Sequence, residues 1–330
     1  MVTSTGSGLS VPDWPNSYGD NMFLFPPSKW VGGILYEHVH RLIASTVGLL
    51  TIGLAVAVQR VDHRKWMRRL GWSALGVVIA QGLLGGMTVI FHLPTWISVF
   101  HACLAQTFFC IIVAIAVCTG PLWRNRPPER SRVEKGAMRV ATVALTSLVF
   151  GQLFLGALMR HSHAGLAVPD FPLAYGRLLP GLSEADVAAY NHERAFTFFL
   201  PEVSGFQIGV HLLHRAGALI VIVAVIVALC VVIRRPAPGP IARPVMLAAL
   251  LVAAQVGLGA WTVLSGKAPW IATAHVATGA ILLGVSWTAV LRVIGFTRTA
   301  RLPRTGTQSA ERLCGSATIK TADLAGGAVG

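Results

Sequence analysis

Apolar runs of roughly twenty residues recur along this chain, and they limit its fold more than any other feature. A bilayer's hydrocarbon core needs about 20 apolar residues of helix to cross it. Seven runs of that kind are present, at about 35–59, 71–92, 96–120, 138–159, 206–233, 244–264 and 271–294. The 330 residues are 54% apolar and 12% charged, with a mean hydropathy of +0.65. A formal net charge of +14 would suggest nucleic acid as partner in a polar chain, but this composition excludes that reading and also excludes disorder. The expected class is an all-α polytopic membrane protein.

The basic residues assign the sides. Twenty of the 27 Lys and Arg fall in the first inter-helix loop (Arg60, Arg64, Lys65, Arg68, Arg69), in 124–139, in 234–243 and in the tail from Arg292. These segments share one side if each run spans once, so the positive-inside rule places them, with the C-terminus, in the cytoplasm. Segments 1–34, 93–95, 160–205 and 265–270 are then extracytoplasmic. The charge is read as an orientation signal, with anionic lipid or a partner as the other reading. Cys103, Cys110, Cys118 and Cys230 lie in apolar segments and Cys314 in the polar tail, with no C-x-x-C, so no structural disulfide is expected. Met1 to Gly8 does not read as a signal peptide, leaving insertion to the spans themselves.

Self-comparison exposes an internal repeat. VVIAQGLLGGMTVI from Val77 matches LVAAQVGLGAWTVL from Leu251, placing Gln81 on Gln255, Gly85 on Gly259 and Thr88 on Thr262. The same offset of 174 sets His40-Arg41 on His214-Arg215, Trp96 on Trp270 and His101 on His275. The preceding loops match at an offset of 157, GLSVPDWPNSYG from Gly8 on GLAVPDFPLAYG from Gly165. The second loop carries an insertion around SEADVAAYNHERAFTFF from Ser183, for which a helix lying on the membrane surface is expected. Both matched loops fall on one side, so the repeats are parallel. Met138 to Met159 has no counterpart before the first loop, and the repeat predicts four helices per half, eight in all, with a further helix preceding Thr3 in the complete gene product.

Four histidines form two repeat-related pairs, His40 with His101 and His214 with His275, each near the extracytoplasmic end of its helix. A buried His can simply bond a neighbouring backbone group, but four at matched positions point to function, because ionisable groups within a membrane are costly. Two His per site fall short of zinc's three or four protein donors. A heme supplies four nitrogens of its own, so one His from each of two facing helices completes six-coordination. Ala44, Gly48, Ala105, Gly217 and Gly279 are small neighbours that would leave room for a flat macrocycle, or serve ordinary helix packing.

Arg41 and Arg215 need an anionic partner within the membrane, for which heme propionates are candidates, or else snorkel to the interface. Glu37 stands one turn before His40, whereas the aligned residue is His211, so a carboxylate is present in one site only. The first site is therefore read as reactive, with Glu37 moving protons or stabilising a cation. A residue that serves only to start the helix is the alternative.

As a set, TGSGLSVPDWP from Thr5, E-x-x-H-R from Glu37 to Arg41, His101, His214-Arg215 and His275 resemble the heme A synthase family over about residues 3–295. The resemblance implies two four-helix-bundle halves, heme O as substrate between His40 and His101, and heme b as cofactor between His214 and His275. It implies oxidation of a methyl group of heme O, by successive hydroxylation and loss of water, to the formyl group of heme A for cytochrome oxidase, with Glu37 catalytic. The domains that follow are 1–120, the substrate half; 121–137, a basic linker; 138–295, the heme b half; and 296–330, a polar tail read as disordered. Heme O synthase is the implied supplier, alongside an electron donor not identified by sequence, membrane lipid and a homo-oligomer, in a bacterial inner membrane. The loops 1–34 and 160–205 lack the Cys pair of many members, which excludes thiol exchange there. A di-heme b-type electron carrier and a heme transporter are the other readings of the same four histidines.

Overall fold

The computed structural model describes residues 2–124, 135–234 and 237–297. Most of the 121–137 linker and of the 296–330 tail, with Cys314, lies outside the described residues. Among the described residues seven helices are long and apolar enough to cross a membrane: α1 (Gly33–Val61), α2 (Lys65–Ile90), α3 (Thr95–Thr119), α5 (Lys135–His161), α7 (Gly205–Arg234), α8 (Gly239–Leu264) and α9 (Pro269–Thr297). Two short α-helices, α4 (Pro121–Arg124) and α6 (Glu184–Glu193), also lie among the described residues. The chain is a multi-pass all-α membrane protein.

Two helices start earlier than the apolar runs indicate. α2 begins at Lys65 rather than near 71, because Lys65, Arg68 and Arg69 are good helix formers that extend the helix beyond its lipid-facing part. α8 begins at Gly239 and carries Pro244 within its second turn, where the missing N–H costs one bond to Pro240 and does not end the helix.

In the second half α5 packs on α7, α7 on α8, α8 on α9 and α9 on α5, closing a ring of four. Its core is made of small or branched residues, including Leu145 and Val149 of α5, Val225 of α7, Ala248 of α8 and Leu283 of α9. In the first half α1 packs on α2 and α2 on α3, and the halves join through α3 against α5 and α9. Leu49, Leu50, Val140, Val223 and Leu250 are exposed, as lipid-facing side chains are.

The insertion forms α6, started by a capping box in which the Ser183 hydroxyl accepts the Asp186 N–H and the Asp186 carboxylate accepts from the Ser183 backbone. Tyr190 stacks on Tyr175 of the second motif loop at 4.0 Å and 9°. Arg194, buried, donates to the carbonyls of Leu166 and Pro201. The insertion therefore braces the second loop, and the first loop has no such brace.

Candidate functional site

The two motif loops repeat bond for bond. In the first, the N–H groups of Tyr18 and Gly19 donate to Asp13, both at 2.8 Å, and the Tyr18 hydroxyl donates to Ser10 O. In the second, Tyr175 and Gly176 donate to Asp170 at 2.8 and 2.9 Å, and the Tyr175 hydroxyl to Ala167 O. Gly19 (φ 80°) and Gly176 (φ 72°) close the turn in a left-handed conformation that suits glycine. Burial alone would push the Asp13 carboxyl up, but the Gly19 and Tyr18 N–H groups, helped by the charge of Arg41, hold it below the ordinary carboxylate range.

Arg41 and Arg215 fasten these loops to α1 and α7. Arg41 donates to the carbonyls of Asp13, Asn16 and Val11 at 2.7, 2.9 and 2.8 Å, and to Glu37 Oε1 at 2.7 Å. Arg215 donates to the equivalent carbonyls of Asp170, Leu173 and Val168 at 2.6, 2.8 and 3.2 Å. The anionic partner expected of Arg41 is thus Glu37, and its four terminal guanidinium hydrogens are all engaged. Arg215 has no carboxylate partner among the described residues, and its guanidinium lies 5.7 Å from the Phe171 ring.

Glu37 and His211 share one mechanical task. Glu37, only 3% exposed, accepts the Val11 N–H through Oε2 at 2.9 Å. His211 Nδ1 lies 3.3 Å from the equivalent Val168 N–H and 3.1 Å from Ala164 O, so its tautomer decides whether it accepts or donates. The acid therefore differs from the imidazole in its charge and its pairing with Arg41, rather than in position. This function of Glu37 was hidden in the sequence, because it depends on how the loop folds back.

His40, His101, His214 and His275 all line a single cavity of about 1950 Å³, together with Glu37 and Arg41. A pocket for one small molecule runs to about 1,000 Å³ at its upper end, so the space is sufficient for two large groups. His101 of α3 lies over Gly85 of α2, and His275 of α9 over Gly259 of α8. A Cβ at either glycine would stand 3.1 or 3.2 Å from the ring. His214 rests in the same way on Gly156 of α5 at 3.2 Å. The His214 and His275 rings face each other with centroids 6.5 Å apart and planes at 74°. Gln81 Nε2 lies 3.4 Å from His101 Nε2, while Gln152 reaches the His214 ring at 3.2 Å and donates to its backbone carbonyl at 2.8 Å. His40, in contrast, is exposed.

The donor set tests which group fits. Among the described residues no three His, Cys, Asp or Glu come together to hold a metal ion, so a cage of protein ligands alone is not formed. Nδ1 of His101 and of His275 is buried without a hydrogen-bond partner, a cost of about 1–3 kcal/mol each that is borne where a site has another use. Paired imidazoles facing a large, mainly apolar cavity fit a group that brings its own equatorial ligands, as heme does. Of the small residues noted in the sequence, Gly217 and Gly279 make way for the Gln152 and Gln255 side chains, whereas Gly48 is open. Gly156 and Gln152 were not singled out by the sequence, because their helix α5 has no partner in the repeat.

Comparison with known proteins identifies the family. A family model described as cytochrome oxidase assembly protein matches residues 1–287. Curated relatives named heme A synthase include one from Shouchella clausii, 30% identical over 67% of this chain, of whose own length the match spans only 65%. Those of Halalkalibacterium halodurans, 23% identical over 89% of each chain, and Geobacillus kaustophilus, 25% identical over 92% of this chain and 87% of the relative, match almost end to end. With most of its length matched by the family model, the chain belongs to the cytochrome oxidase assembly protein family in which these heme A synthases fall.

Proposed function

We propose that this protein is an oxidoreductase that converts heme O to heme A. The observation that carries the reading is the shared cavity onto which two repeat-related His pairs open, with a carboxylate beside one pair and an imidazole at the matching place beside the other. His214 and His275, with rings facing across 6.5 Å inside the closed helix ring, suit a resident heme b. When bound it supplies one-electron chemistry. His40 and His101 suit the substrate, whose methyl group is oxidised to a formyl group by successive hydroxylation and loss of water.

The residues of the chain bind, orient and handle protons. Gly85, Gly156 and Gly259 fix three imidazole planes by close contact, and Gln81 and Gln152 restrict their rotation. Glu37 lines the cavity from the same helix as His40, one turn away, and is the one carboxylate among the described lining residues that could accept or return a proton. Arg41 keeps that carboxylate fixed through Oε1, and Val11 through Oε2. The excess of Lys and Arg on the opposite loops supports an extracytoplasmic position for the motif loops, with substrate entering from that side and supplied by an enzyme that makes heme O.

Glu37→Gln tests the role of the acid. Gln can still accept the Val11 N–H but cannot carry charge or exchange a proton near neutral pH. Heme extracted from cells expressing the variant should contain heme O and a partly oxidised alcohol, with heme A formation lowered by about 10² to 10⁴. Wild-type heme A would remove Glu37 from the chemistry. Heme b as the only pigment of the unaltered protein would favour an electron carrier instead.

A further inference from the structure

The charge lining the cavity is divided unequally between the halves. The loop offset of 157 sets Arg160 opposite Thr3, and the helix offset of 174 sets Lys267 opposite Leu93, as it sets His211 opposite Glu37. Each difference makes the second half more positive. Leu93 and Lys267 hold the same place in the fold. Both are left-handed (φ 60° and 67°), both return their N–H to the equivalent threonine carbonyl, Thr88 or Thr262, and both pack over the matching loop glycine. A Cβ at Gly8 would meet the Leu93 side chain at 3.2 Å, and one at Gly165 the Lys267 side chain at 3.1 Å. A leucine suffices for that packing, so the lysine ammonium is surplus to it.

Arg160, in the last turn of α5, donates to the Ser4 hydroxyl, which Thr273 also contacts at 3.1 Å, two residues before His275 on α9. Arg160 and Lys267 both line the cavity, and neither forms an ion pair among the described residues. Glu202 shares a smaller adjoining cavity with Lys267 without pairing to it. Arg41, in contrast, is neutralised by Glu37, and Arg41 and Arg215 are committed to loop carbonyls.

We propose that Arg160 and Lys267 form an anion-holding rim of the second site, binding the carboxylate side chains of the resident heme. With threonine and leucine at the matching positions, Thr3 and Leu93, the heme of the first site is left free to exchange as substrate and product. The proposal rests on the heme reading given above. A guanidinium and an ammonium beside an apolar cavity attract carboxylates far more strongly than in water, because little solvent screens them. In the first half a carboxylate meets an arginine already paired, with leucine and threonine where the second half has its cations. One cavity can thus retain one porphyrin and turn over another.

The test uses the purified full-length protein in detergent and follows the six-coordinate low-spin spectrum while excess apomyoglobin takes up released heme. Arg160→Gln and Lys267→Gln should each speed that loss about ten- to a hundred-fold, the effect of one charged hydrogen bond, and Arg160→Lys should lie near the unaltered protein. Refilling the heme-depleted protein with protoheme or its dimethyl ester gives a second measure. The unaltered protein should hold the free acid more tightly by the same factor, and the double Gln variant should hold both alike. Equal retention of acid and ester by the unaltered protein, or wild-type loss from the double variant, would overturn the rim while leaving a His275-dependent spectrum in place. A low-spin spectrum that survives His275→Ala would instead overturn the heme reading beneath it.

Discussion

The two halves start from one pattern and end differently supported and differently charged. Around His214 and His275 four helices close a ring, Gly156 and Gly259 support the imidazoles from two sides, and α6 with Arg194 braces the loop above. Around His40 and His101, among the described residues, His101 alone rests on a glycine. The charges differ with it, since among the described residues the second half has surplus cations and no cavity carboxylate, while the first has a carboxylate paired to its arginine. A site meant to keep its occupant benefits from the first combination. A site that must admit one molecule and release another benefits from the second.

The strongest way to break this comparison is to remove one histidine from each half. His275→Ala should abolish the low-spin heme spectrum of substrate-free protein, whereas His40→Ala should leave it intact. The reverse outcome would exchange the roles of the halves.

A smaller difference is expected at the paired arginines. Arg41→Ala strands the Glu37 carboxylate, buried to 3%, without its counterion, a loss of about 3–5 kcal/mol on the scale of broken buried ion pairs. Arg215→Ala removes carbonyl bonds only and leaves no buried charge behind, so its thermal unfolding temperature in detergent should fall less. Adding Glu37→Gln to Arg41→Ala should recover part of the loss. If Arg41→Ala is no worse than Arg215→Ala, the ion pair is not what separates the halves.

Much of this was legible in the sequence, because membrane helices declare themselves by length of apolar run and the repeat fixed which histidines correspond. The E-x-x-H-R spacing placed Glu37, His40 and Arg41 together on α1, and the cavity contains all three. What Arg41 and Glu37 hold was not legible. Their partners are backbone groups of Val11, Asp13 and Asn16, more than twenty residues away, and a carbonyl has no signature in the sequence. Propionates were the anion that sequence reasoning supplied in place of those invisible partners. Arg160 and Lys267 likewise carried no signal in the sequence, because a helix-end cation looks the same whether it faces water or a cavity.

The smallest expected effect concerns the first loop, which lacks the α6 brace and relies on its own turn. Asp13 accepts the Tyr18 and Gly19 N–H groups, and its carboxyl is held below the ordinary range despite the opposing effect of burial. A carboxyl whose folded pKa is lowered stabilises the fold fully above its unfolded value near 3.8, and that contribution fades as pH falls through the lower folded value. The turn at Asp13 should therefore loosen below about pH 4, which limited proteolysis between pH 6 and 2.5 with an acid-active protease would register as faster cleavage in 8–19. Asp13→Asn keeps an oxygen for one of the two N–H groups but has no proton to gain, so its cleavage should start slightly faster and change little across that range. Cleavage of the unaltered loop that is flat with pH, or an Asn variant that still loosens in acid, would show that the first loop is held by the Arg41 clamp alone and that Asp13 contributes nothing to the difference between the halves.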